Sequence, residues 1–274
     1  GQGTTFVLRL RRFDAARLAA EVAQLTAAEW RPHPQGNPGN TALPFIARRG
    51  DPMDDGLAGP MLPTPHLARC PYIAQVMAAL DVPLGRSRLM GLDARAEATA
   101  HVDTGYYWQQ RVRVHIPVVT FPDVQFLCGD ASTHMAPGEC WIFDTWRVHN
   151  VLNPGSAQRI HLVIDTVGSG SFWNKVESGG APVQVPFDAG AASTAALRFE
   201  SHNYPIVMSP TEITSLWAQW MTDARAGGGS AEAIAAVDAA VQPVFRDWRA
   251  AWAQFGEHSD GWPHYVALRK RIVA

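Results

Sequence analysis

Between residues 86 and 167, seven short β-type segments follow one another, and this spacing constrains the fold more than any other feature of the chain. They read as 86–92, 98–103, 111–120, 124–128, 140–144, 147–152 and 159–167. Turn signals separate them, at 94–97, Gly129-Asp130, Pro137-Gly138 and Asn153-Pro154-Gly155. Short strands at such intervals indicate a sandwich or barrel.

The flanks differ in character. Ahead of the strands, 4–10 reads as a strand. Asp14 can N-cap a helix over 15–28, with Leu18, Val22 and Leu25 at helical spacing. Residues 31–40 are too rich in Pro, Gly and Asn for regular structure, and long loops in compact domains are often lids or binding loops. A strand over 41–48, a loop to Pro65 and a helix over 71–80 opening with Pro71 complete this part. Beyond Gly168-Ser169-Gly170, residues 171–209 read as mostly irregular. Helices are then expected after Ser209 or Thr211, over 230–256 and near 262–272. Length suits one large domain or a core with an appendage. The expected division is a jelly-roll core with N-terminal helices at 1–170 and a mostly helical region, packed on that core, at 171–274. The C-terminal tryptophans are expected to pack as core against the barrel, with a wall of the substrate pocket as the alternative.

A net charge of −2, with 47% apolar and 18% charged residues, describes an ordinary soluble globular protein. It gives no field that would draw the chain to nucleic acid or an acidic membrane. Arg9, Arg11 and Arg12 alternate with apolar residues and read as a solvated strand edge. No 18-residue apolar run or signal-peptide pattern is evident. Cys70, Cys128 and Cys140 are odd in number and unclustered, which fits a reducing cytoplasm better than a disulfide scaffold.

The chemistry-bearing residues lie within the β-rich stretch. His101-Val102-Asp103 is followed much later by His149, the spacing of a two-histidine, one-carboxylate facial triad. On a strand, residues i and i+2 point to one side, so His101 and Asp103 can reach one ion from the end of one strand. His149 can join them from an antiparallel neighbour. Three positions then stay open, and imidazole with carboxylate suits Fe(II). His-x-Asp alone recurs by chance; the β-rich context and Arg159, ten residues after His149, give it weight.

Arg159 opens an apolar strand on which Arg159, His161 and Val163 share a face. An arginine pointing into a barrel is costly unless paired. A dicarboxylate ligand could supply bidentate hydrogen bonds; a protein carboxylate, Asp144 or Glu139, is the alternative. On 111–119, Arg111, Arg113, His115 and Pro117 share a face that either meets solvent or lines a wet cavity. His33, in the 31–40 loop, is expected to be solvent-exposed, and His134 is not expected to be a ligand. Residues 106–109 either close over a substrate or form an exposed turn against the C-terminal helices. Asn150 and Arg147 flank His149 as candidate supports.

The segment 101–167 resembles the aspartyl/asparaginyl β-hydroxylase family of Fe(II)/2-oxoglutarate dioxygenases. The shared pattern is His101, then Arg113-Val114-His115, then Gly138-Glu139-Cys140-Trp141-Ile142-Phe143-Asp144, then His149, then Arg159 opening an apolar strand that ends in Asp165. The name-giving hydroxylases lack the carboxylate ligand, whereas Asp103 is present here. In that respect the chain is more similar to the bacterial proline hydroxylase branch, and Asp103 also argues against a halogenase.

The resemblance implies a double-stranded β-helix (a cupin-like jelly roll) with Fe(II) at His101, Asp103 and His149. It implies Arg159 on the distal carboxylate of 2-oxoglutarate, with Arg113 and His115 near the other end of that co-substrate. The implied reaction uses O2, releases succinate and CO2, and hydroxylates an unactivated C–H of a small substrate, an amino acid or a derivative. Desaturation or epoxidation by the same oxidant, and a non-catalytic carboxylate-binding module, are the alternatives. The expected partner is a small molecule, with no nucleic acid or membrane; a homodimer is left open.

Overall fold

The structure is a computed structural model that describes residues 6–34, 36–103, 106–179, 181–191, 196–203 and 207–273. Thr4 and Thr5 of the expected first strand lie outside the described residues; the strand runs Phe6–Phe13.

Local chemistry sets the first helices. Asp14 accepts a hydrogen bond from Arg17 N and caps the Ala15–Ala23 helix, which buries Leu18 and Val22. A cap of this kind stabilises by about 1 kcal/mol. The helix stops short of the expected 28 because Thr26 and Glu29 form a capping box that starts a separate 3-10 turn, Ala27–Glu29. Pro71 opens the Pro71–Ala79 helix, where a missing N–H costs nothing. The next two backbone N–H groups, of Tyr72 and Ile73, donate to the buried carboxylate of Glu21.

Among the described residues, a nine-stranded sheet runs in the order Val183–Val185, Phe6–Phe13, Glu139–Phe143, Val112–Val119, Arg159–Thr166, Ser87–Leu92, Asn40–Arg48, Arg31–Pro32, with Met61–Pro63 also on Asn40–Arg48. A four-stranded sheet runs Ala131–Thr133, Gln125–Cys128, His149–Asn153, Ala96–His101. These are the large and small sheets of a double-stranded β-helix with flanking helices. One face of the large sheet buries Val114, Ile116, Leu162 and Ile164 in a cluster that includes Leu18 and Ile73 of the helices. A second cluster, around Leu92, Phe126, Trp141, Phe143 and Val151, joins residues of both sheets.

Several expectations need correction. The first strand is not an edge, because Glu139–Phe143 and Val183–Val185 flank it, and Arg12 pairs with Glu139 at 3.5 Å. The strand expected over 98–103 is Ala96–His101, so Asp103 lies beyond its end. Residues 171–209 hold a helix, Gly170–Ser178, capped by Ser169 and ended by Gly179 at φ +58°.

The chain divides into compact units at Gly1–Tyr204 and Pro205–Ala274, later than the expected 170/171. Phe172 and Leu197 are buried in the main cluster, Val183–Val185 extends the large sheet, and Glu200 N donates to Leu84 O. These contacts tie the segment after 170 to the barrel. The second unit comprises helices Pro210–Ala226, Ala231–Phe255 and Trp262–Val273, with a core that includes Val244, Trp248, Tyr265 and Leu268. Trp248 is buried in the second unit's own core, whereas Trp220 and Trp262 are exposed. The three cysteines are buried and free. No described helix is long and apolar enough to cross a membrane.

Candidate metal and carboxylate site

His101 is the last residue of its strand and pairs directly with His149, the first residue of the neighbouring antiparallel strand. Asp103 does not reach the site by strand alternation. The chain leaves the sheet after His101, and the Asp103 backbone N–H donates to Thr145 O at 3.0 Å, which holds the turn against the opposite loop. The three side chains then converge, with one ligand atom from each lying within 4.8 Å of the others. Asp103 Oδ1 stands 3.8 Å from His101 Nε2, and Oδ2 stands 4.0 Å from His149 Nε2. Those spacings are too long for hydrogen bonds and suit donors that surround one ion.

The second nitrogens agree with that reading. His101 Nδ1 lies 2.7 Å from Thr99 O, and His149 Nδ1 lies 2.9 Å from Arg147 O. A carbonyl accepts only from N–H, so each ring carries its proton on Nδ1 and turns a bare Nε2 toward the centre. This is the arrangement that orients metal-ligating histidines. Burial pushes the His149 pKa down, against the raising effect of the Arg147 carbonyl, and keeps the imidazole in its ligating neutral form. The donor set of two imidazole nitrogens and a carboxylate fits Fe(II).

This group opens on a cavity of about 270 Å³ between the sheets, and Arg159 lines it too. Arg159 is 4% exposed. Its described hydrogen bond is a long one from Nη1 to Met90 O, at 3.4 Å, and its buried Nε has no partner. Burial lowers its pKa to about 10, so it remains a cation at neutral pH. Neither protein carboxylate considered from sequence serves it. Glu139 accepts from Arg12, Trp141 and the Ala136 backbone, and Asp144 pairs with Arg147. A buried, unpaired guanidinium is unfavourable until an anion arrives.

The polar face of Val112–Val119 lines this cavity rather than solvent. His115 is 6% exposed and presents a partnerless Nε2. Arg113 donates from Nη1 to Asp103 Oδ2 at 2.8 Å and from Nε to Asp165 Oδ1 at 3.1 Å, under the Trp108 ring. Burial works against its charge, yet the Asp165 and Asp103 carboxylates hold its pKa above the ordinary value. Arg111, just before the strand, forms a buried pair with Glu200. Residues 106–109 form a helical turn, Tyr106–Gln109, in which Tyr107 and Trp108 are buried and Trp108 lines the cavity. The side chains of Tyr106 and Gln109 lie outside the described residues.

Other cavity residues escape the sequence reading. His33 is only partly exposed and lines the cavity, contrary to expectation. Burial, followed by the charges of Arg88, Arg86 and Arg113, lowers its pKa to about 4. Arg88 is 6% exposed, lines the same cavity and has no hydrogen bond or ion pair among the described residues. Burial drives its pKa well down. A lone arginine in a mostly apolar strand is the available signal, but both faces of Ser87–Leu92 are buried, so the sequence does not say which way Arg88 points. His134 stands apart from the metal group, with Nδ1 on Val124 O.

Residues 58–168 match the aspartyl/asparaginyl β-hydroxylase family, a span that contains every residue of the converging group and Arg159. The match spans less than half of the chain and marks a similarity to that family. L-proline cis-3-hydroxylase 1 of a Streptomyces species is 24% identical over 131 residues, which cover 46% of this chain and 45% of that protein. The chain thus matches less than half the length of this hydroxylase. Solved structures with similarity include an oxidoreductase of the 2OG-Fe(II) oxygenase family from Burkholderia pseudomallei, at 15% identity and TM-score 0.43, over 62% of this chain and 88% of that one. A Pseudomonas putida prolyl-4-hydroxylase aligns at 14% identity and TM-score 0.41, over 61% of this chain and 95% of that one. The fold assignment rests on the two sheets themselves.

Proposed function

We propose that this chain is an Fe(II)- and 2-oxoglutarate-dependent dioxygenase that hydroxylates a small carboxylate-bearing substrate, an amino acid or a derivative. One observation carries the proposal: the convergent His101, Asp103 and His149 share a cavity with the buried, unpaired Arg159.

Iron held by His101, Asp103 and His149, together with 2-oxoglutarate, supplies the oxidant. Overall, substrate C–H, O2 and 2-oxoglutarate give C–OH, succinate and CO2. The protein's own part is binding and orientation. The carbonyls of Thr99 and Arg147 fix the two imidazoles by accepting from Nδ1, and Arg113 fixes Asp103. Arg159 donates to the distal carboxylate of the co-substrate, which offsets its own desolvation. His115 faces the cavity from the next strand and meets the same ligand.

Arg88 supports the substrate class. Among the described residues it is a second buried arginine in the same cavity with no hydrogen bond or ion pair, so a second anion beside the co-substrate would offset its desolvation. The α-carboxylate of an amino acid supplies one. The Streptomyces relative, by its name, acts on L-proline, which agrees with that class.

The test is to incubate the protein with Fe(II), 2-oxoglutarate, ascorbate and a library of amino acids under air, and to follow succinate and product mass. A product heavier by one oxygen atom, formed beside succinate, is expected. A product lighter by two hydrogens would assign desaturation instead. Ligand binding with no succinate under any condition would reduce the chain to a binding module.

A further inference from the structure

His161 has no part in the chemistry above, yet it is among the most buried polar residues, at 1% exposure. It sits on Arg159–Thr166, beside His115 on the adjacent Val112–Val119 strand. The two rings are 5.8 Å apart at 79°, and Nδ1 faces Nδ1 at 3.5 Å, the long end of hydrogen-bonding range. Both Nε2 atoms are buried without partners.

We infer that His161 is a positioning residue: its Nδ1–H donates to His115 Nδ1 and so fixes His115 as the Nε2–H tautomer, a donor aimed at an anion in the cavity. The identity of that anion, a carboxylate of 2-oxoglutarate, rests on the proposed function; the tautomer assignment needs only an anion of any kind in the cavity that His115 and Arg159 line.

Two nitrogens facing one another hold one proton between them. Burial keeps both rings neutral, because it drives their pKa values well below the ordinary histidine value. Two arrangements are then available. If His115 donates, His161 carries its remaining proton on Nε2, where no described group accepts it, and an orphaned buried N–H is among the rarest defects in folded proteins. His115 would also turn a bare lone pair toward the anion that Arg159 attracts. If His161 donates, both problems vanish. The Nε2–H then belongs to His115, the ring of the two that lines the cavity, where a ligand can accept it. The bare His161 Nε2 belongs to a ring that feels the positive charge of Arg159, two residues earlier on the same strand. Arg159 then contributes charge and His115 contributes direction.

The first measurement is nitrogen-15 NMR of histidine-labelled, metal-free protein. It should find His115 protonated on Nε2 and His161 on Nδ1; His115 protonated on Nδ1 overturns the inference. The second compares variants loaded with Mn(II), using calorimetric titration with 2-oxoglutarate. His161→Leu fills the space without donating, and should release the His115 tautomer and weaken 2-oxoglutarate binding about tenfold, the effect of one hydrogen bond to a charged group. His161→Asn places an amide N–H where Nδ1–H was, and should bind within about twofold of the parent. Mn(II) affinity should stay the same in all three proteins. Equal tautomer and equal affinity in His161→Leu would also overturn the inference. If the parent itself fails to bind 2-oxoglutarate, the proposed function falls, and the NMR result alone decides the role of His161.

Discussion

Arg113 binds Asp103 through a 2.8 Å hydrogen bond, and its Nε donates to Asp165 at 3.1 Å. The carboxylate expected to hold iron is therefore set in place by a guanidinium that is itself anchored from the neighbouring strand. Such supporting contacts commonly tune metal affinity 10- to 100-fold. Arg113→Met should lower Fe(II) affinity by about that factor. Calorimetry under anaerobic conditions checks this, and unchanged affinity would show that Asp103 is oriented without Arg113.

Arg111 and Glu200 form a second buried pair, with Nε 3.0 Å from Oε1 and side chains 6% and 4% exposed. Arg111 Nη2 also donates to Asn203 O, and the Asn203 side chain holds the backbone of Leu57 and Gly59. Leu57 lines the cavity. Removing one partner of a buried pair typically costs about 3–5 kcal/mol, whereas replacing both with apolar residues costs much less. Glu200→Ala should therefore destabilise the barrel unit by that order, and Arg111→Met with Glu200→Leu by clearly less. Urea unfolding of both variants measures it; equal losses would mean that the pair contributes through packing alone.

These two networks mark the limit of what sequence conveys. Strand alternation makes His101 and His149 legible as neighbours, and Arg159 as an inward charge, because those relations follow from local geometry. The approach of Asp103 is not legible, since it depends on a backbone contact to Thr145 across the site. Arg88 is hidden because Ser87–Leu92 is buried on both faces, so alternation cannot say which face meets the cavity. Gly170–Ser178 carried its signals in Ser169 and Gly179, but a nine-residue helix offers too short a period to stand out. The division at 204/205 depends on short strands whose pairing comes from distant segments.

Acid stability follows from the buried histidines. Burial holds the folded pKa values of His115 and His161 well below the ordinary histidine value. The unfolded chain therefore binds more protons as the pH falls below about 6.5, and stability drops in that direction. Each such histidine steepens the loss by about 1.4 kcal/mol per pH unit. For metal-free protein between pH 6.5 and 4.5, His161→Asn should lower the slope by about one histidine's share. Denaturation at a series of pH values tests it; an unchanged slope would mean that His161 titrates normally in the folded state.

The two unpaired arginines should separate kinetically. Arg159→Ala should raise the 2-oxoglutarate requirement about 100-fold or more, the scale of a lost charge-assisted bidentate contact. Arg88→Ala should leave substrate-free turnover of 2-oxoglutarate near the parent level and raise the KM of the amino-acid substrate. Succinate assays with and without substrate distinguish them. Identical effects of both substitutions would assign both arginines to one ligand.

The most direct test of the central claim is anaerobic calorimetric titration of metal-free protein with Fe(II) and then with 2-oxoglutarate. One Fe(II) per chain is expected, lost in His149→Ala. Tight 2-oxoglutarate binding is expected only with the metal present and Arg159 intact. Undiminished Fe(II) binding in His149→Ala, or 2-oxoglutarate binding indifferent to both the metal and Arg159, would contradict the account.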